Sequence, residues 1–103
     1  MKDINKILIT VNSLNKHMEL SIEPNTLKCY VNGNTKDIKE DVIDRLLNII
    51  CLWDYEYVNN SIIDPESYEI RIYTSEGVDK YIGKGMKPKY YQEFLEIVGE
   101  LYE

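Results

Sequence analysis

The most suggestive chemical grouping in the chain is Gly83-Lys84-Gly85, followed by Lys87, Lys89, Tyr90 and Tyr91. Glycines let backbone N–H groups approach an anion, lysines supply charge, and a following helix N-terminus adds its dipole. A phosphate or nucleotide held by Lys84, Lys87 and Lys89, with Tyr90 or Tyr91 stacked on a base, is one function this pattern allows. The stretch matches neither of two well-defined phosphate motifs. G-x-x-x-x-G-K-[ST] is absent, and so is the third glycine of a dinucleotide fingerprint. Pro88 also removes one backbone donor. The simpler reading is structural: the glycines end a strand and bend the chain, and Pro88 begins a helix.

Catalytic chemistry finds little support. His17 is the only histidine and falls in a polar segment read as the turn before a strand. No serine lies in G-x-S-x-G, and neither Cys29 nor Cys51 has a histidine near it in sequence. Both cysteines sit in apolar runs and read as small buried hydrophobes. Asp54, Glu56, Asp64 and Glu66 could pair for acid–base work, but acids in a loop after a helix are ordinarily solvated. Two cysteines and one histidine cannot supply paired zinc-ligand spacings. Asp64-Pro65-Glu66 lacks the alternating oxygens and central glycine of a calcium loop. No enzymatic activity, metal or cofactor is expected.

The acids follow a more regular pattern. Asp37, Glu40, Asp41 and Asp44 recur at i, i+3, i+4 and i+7, which on a helix covers about 100° of circumference opposite an apolar side. Such a stripe is ordinarily a solvated outer face, but it also suits docking on a basic surface. Tyr55 and Tyr57 alternate with Asp54 and Glu56 just beyond it. A ring with a polar tip makes a good interface anchor. The leading expectation is a small, acidic, non-enzymatic protein-binding module, of the kind that serves as an inhibitor or immunity-type antidote. It would meet a basic partner through Asp37, Glu40, Asp41, Asp44, Tyr55 and Tyr57. Nucleic acid and membrane are not the expected partners, and self-association through the tyrosines is a third reading.

The elements that must position these residues follow from periodicity. Ile7/Ile9/Val11, Met18/Leu20/Ile22 and Leu27/Cys29/Val31 each alternate, with turn residues between and Asn32-Gly33 after. Residues 35–53 change to helical spacing, with Ile38, Val42, Leu46, Ile49, Ile50 and Trp53 on one side and Asp37 as candidate N-cap. Tyr68/Ile70/Ile72 and residues 78–83 form a hairpin around Ser75-Glu76-Gly77. Tyr91, Phe94, Leu95, Val98, Leu101 and Tyr102 then stripe a second helix. The order βββ-α-ββ-α predicts an α+β, two-layer domain over residues 1–103: a five-stranded antiparallel sheet with both amphipathic helices on one face.

Composition agrees with a globular domain, at 44% hydrophobic and 29% charged residues. Alanine is absent while Ile, Asn, Lys and Tyr abound, the mark of AT-rich coding, so the nine tyrosines are not all evidence of a binding surface. The net charge of −6 is concentrated in residues 37–69, where nine acids face only Lys39 and Arg45. The apolar run Ile7–Val11 is too short for a secretory core or a membrane span, which makes the cytoplasm the expected compartment.

Overall fold

Period-2 alternation becomes a sheet in the computed structural model, which describes residues 3–13, 16–59, 61 and 66–103. Strands β1 (Ile4–Ser13), β2 (Lys16–Glu23), β3 (Lys28–Val31) and β4 (Asn34–Asp37) form an antiparallel meander. Helix α1 (Glu40–Ile50) follows, then β5 (Glu56–Val58), the hairpin β6 (Ser67–Thr74) and β7 (Gly77–Lys84), and helix α2 (Tyr91–Tyr102). The strands lie in the order β4-β3-β2-β1-β6-β7-β5, with β1 bridging meander and hairpin.

Register places the apolar residues in continuous rows. Val31, Leu20, Ile9 and Ile70 make one, Cys29, Ile22, Ile7 and Ile72 the next, and Met18, Val11 and Tyr68 a third. Helix α1 adds Ile43, Leu46, Ile49 and Ile50 to these rows, and α2 adds Tyr91, Phe94, Ile97 and Val98. All belong to one cluster, so the helices cover one sheet face and leave the other to solvent. Each fully buried aliphatic or aromatic side chain contributes about 1.5–3 kcal/mol, which is why the inward register is so strongly fixed. No helix among the described residues is long and apolar enough to cross a membrane.

The α+β class holds, but the sheet is mixed and has seven strands among the described residues where five antiparallel ones were expected. The first extra strand follows from Asn32 and Gly33, both at positive φ (49° and 79°). That pair of left-handed residues is what a type I′ hairpin turn requires, and it returns the chain as β4 against β3. Asp37 therefore ends a strand and does not cap a helix. The second extra strand arises because the segment containing α1 crosses from β4 at one sheet edge to the opposite edge, where β5 pairs parallel to β7. Leu27, expected in the third strand, instead precedes β3 at φ 54° and is 39% exposed. The loop end at Asp64-Pro65 lies outside the described residues.

Candidate partner-binding site

The start of α1 is shaped by the turn before it. Ile38 is buried and its N–H donates to the Leu27 carbonyl at 3.0 Å, which ties the helix entry to the β2–β3 turn. Lys39 is the N-cap and makes no side-chain capping bond, so Glu40 and Asp41 in the first turn supply the charge that suits the helix dipole. Asp37, expected within the acidic stripe, is instead ion-paired to Lys28 across the β3–β4 pair. The hydrogen bond from Lys28, and then its charge, hold the Asp37 carboxyl below its ordinary pKa, and the same contact raises that of Lys28.

Three stripe residues remain. Glu40, Asp41 and Asp44 are exposed, and among the described residues none has a basic group within salt-bridge distance. Glu40, Ile43, Asp44 and Leu47 fall at i, i+3, i+4 and i+7 and form one wall of a groove of about 440 Å³. Ile4, Leu27 and the Pro24–Asn25 turn complete the apolar part, and Asp3 adds a third carboxylate. Sequence periodicity found the Glu40–Asp44 wall but not this floor, because Ile4 and Leu27 come from strand ends distant in sequence. The helix also buries Ile43 where Val42 was expected, which turns Glu40 and Asp44 toward the groove.

The tyrosines expected beside the acids are elsewhere. Tyr55 and Tyr57 lie beyond the C-terminal end of α1, and eleven residues of helix separate that end from Glu40 by about 16 Å. Tyr55 is 60% exposed and its ring leans on Tyr81, with centroids 4.9 Å apart. Tyr57 is half-buried on β5, and its hydroxyl accepts a hydrogen bond from the Asp54 N–H at 3.1 Å. Trp53 is buried against Tyr68 and Phe94, as its place in the apolar stripe implied.

The glycine–lysine stretch is largely absorbed by the fold. Gly83 lies inside β7, paired with both Tyr57 and Tyr68, and the Tyr68 ring lies directly over it. A Cβ there would sit 1.9 Å from Tyr68 Cε2, so this glycine makes room for a ring and does not bend the chain. Gly85 does turn the chain, at φ 76°, and its N–H donates to the Glu66 carbonyl. Pro88 is buried and opens a turn whose carbonyl accepts from the Tyr91 N–H at 3.2 Å, so α2 starts three residues later than Pro88 suggested. The Trp53 indole N–H donates to the Lys89 carbonyl at 2.6 Å. Lys84, Lys87 and Lys89 are exposed, with the Lys89 ammonium 5.3 Å from the centre of the exposed Tyr90 ring. Tyr91 is only 5% exposed and cannot stack on a base.

Comparisons with family models, curated proteins and solved structures find no match. The chemistry of the chain therefore rests on its own residues. His17 lies in β2 and not in a turn, contacting Asn12 through Nδ1 and Glu19 through Nε2 at 3.6 Å. Cys29 is buried, which pushes its thiol pKa up, whereas Cys51 is exposed at the end of α1, contrary to expectation. Among the four loop carboxylates, Asp54 and Glu56 are exposed and Asp64 lies outside the described residues. Glu66 is half-buried with one oxygen unpaired. Burial, and then Glu66, push the Tyr91 phenol up to about 12. No three His, Cys, Asp or Glu among the described residues are placed to hold a metal ion.

Proposed function

We propose that this chain is a non-enzymatic protein-binding module, acting in the cytoplasm, that docks a basic partner on its helix layer with Glu40, Asp41 and Asp44 at the centre. The observation that carries this reading is the one-sided charge of that layer. The two helices hold six acids, Glu40, Asp41, Asp44, Glu93, Glu96 and Glu100, against Arg45 alone. Unpaired like charges on adjacent turns repel by a few tenths of a kcal/mol per pair. A basic partner would relieve that repulsion and be steered toward the site from a distance. An inhibitor or antidote that covers a partner's cationic surface would need this arrangement. Binding of this kind loses strength as salt screens it.

The test is affinity capture from the source cells with mass spectrometry, comparing the native chain with Glu40→Lys/Asp41→Lys/Asp44→Lys. A specific partner, captured by the native chain at about 0.05 M salt, is expected to weaken at about 0.5 M and to vanish with the variant. Equal capture by a variant with unchanged circular dichroism would refute the assignment of this face.

A further inference from the structure

The groove beside α1 combines carbon and charge in a way that narrows the partner's chemistry. Resting on the protein-binding reading above, we propose that it receives an arginine side chain from an exposed segment of the partner. Ile43 is buried, Ile4 and Leu47 are half-buried and Leu27 adjoins them, whereas Asp3, Glu40 and Asp44 are exposed around them. The recess therefore offers aliphatic carbon below and carboxylates above. Among the described residues no lysine or arginine lines it. Its volume of about 440 Å³ lies within the range of about 300–1,000 Å³ typical of ligand sites, and suits one long side chain with its flanking backbone.

An arginine carries the complementary profile in one piece, a methylene stem that packs on carbon and a cationic head that stays near solvent. Lysine shares the stem, but its ammonium is compact and strongly hydrated. A guanidinium is weakly hydrated and spreads five donors over a plane, which suits carboxylates arriving from separate elements. Glu40 and Asp44 stand one turn apart on α1, about 5–6 Å between Cβ atoms, and Asp3 approaches from the chain ahead of β1. A divalent ion is a poorer occupant, since no three carboxylates among the described residues are placed to hold one.

The experiment is a two-dimensional amide NMR titration of the native chain with n-butylguanidinium, n-butylammonium and neutral n-butylurea. The guanidinium is expected to shift the amides of Leu27, Ile43 and Leu47 saturably, with a dissociation constant on the order of 1–10 mM. Butylammonium should bind at least about fivefold more weakly, and butylurea should leave those amides in place. Asp3→Asn/Glu40→Gln/Asp44→Asn should abolish the response, while Asp41→Asn, outside the groove lining, should keep it. Equal response to butylurea or butylammonium, or shifts centred on Lys84–Tyr90, would overturn the arginine site. Absence of any saturable shift, with partner capture still lost in the charge-reversed variant, would reject the arginine site and leave the docking face standing. Guanidinium binding with capture unaffected would reject the docking face instead.

Discussion

The two faces of the domain handle charge in opposite ways. On the open sheet face, opposite signs meet along and across strands: Glu69 lies 3.2 Å from Arg71 on its own strand and 3.4 Å from Lys80 on β7, and Lys28 on β3 pairs with Asp37 on β4. The Tyr30 hydroxyl there donates to Glu23 at 3.1 Å, and the Lys6 ammonium lies over the Tyr73 ring. On the helix layer, Glu40, Asp41 and Asp44 have no such counterpart among the described residues. A face that neutralises itself gains little from a charged partner, whereas a face that leaves one sign uncompensated gains both contact and relief of repulsion. The Gly83–Tyr90 joint owes its unusual residues other than the lysines to structure, since Gly83 makes room for the Tyr68 ring, Gly85 turns the chain and Pro88 is buried.

The largest effect should come from the frame beneath both faces. Gly83→Ala drives a Cβ into the Tyr68 ring at a buried position, and an overlap this close should cost about 3 kcal/mol, the upper end of the usual range for overpacking. Thermal unfolding should show Tm falling by more than about 10 °C. A shift within about 2 °C would mean the ring has another place to go.

Alkaline pH should act through the same aromatic cluster. Burial keeps Tyr91 protonated up to about 12 and also raises Tyr68, while the unfolded chain releases these protons near 10. The folded state thus binds more protons in this window, so its stability falls as pH rises through it and is untouched below it. The loss from Tyr91 reaches at most about 3 kcal/mol by pH 12. Tyrosinate absorbance should show these two phenols ionising only as the protein unfolds. Titration together with the exposed tyrosines, without unfolding, would contradict the buried placement.

The smallest stability effects separate the faces most sharply, because they differ in sign. Glu69→Gln removes the centre of a paired cluster and should destabilise by about 0.2–1 kcal/mol. Asp44→Asn removes one member of the Glu40/Asp44 repulsive pair and should stabilise by about 0.2–0.5 kcal/mol. Denaturant titrations in low and high salt can resolve the pair of signs, and salt should shrink both. Two changes of the same sign would erase the distinction between the faces.

Much of this frame was legible from residue spacing. Ile7/Ile9/Val11 and Tyr68/Ile70/Ile72 alternate because each strand has one buried and one open side, and both helices carry an apolar stripe. β4 escaped notice because Asn34–Asp37 is polar throughout, although Asn32-Gly33 already demanded a returning strand. β5 is three residues long, too short for a period, and its parallel pairing depends on where α1 delivers the chain. The candidate site was half legible. Glu40 and Asp44 fall on one helical face by spacing, but Asp3, Ile4 and Leu27 join them only through the tertiary fold. Asp37 was misplaced by the same missed strand that now pairs it with Lys28.

The most direct test of the uneven charge account is the affinity of a purified captured partner, measured by calorimetry against paired charge reversals. Glu40→Lys/Asp44→Lys should weaken binding at least about 100-fold, the order reached when close interfacial charge pairs are lost, and should flatten its salt dependence. Lys84→Glu/Lys87→Glu/Lys89→Glu should leave affinity within about threefold, since those lysines lie outside the docking face. Loss of binding in the lysine variant, with the acidic variant unaffected, would contradict the account and move the functional surface to the β7–α2 joint.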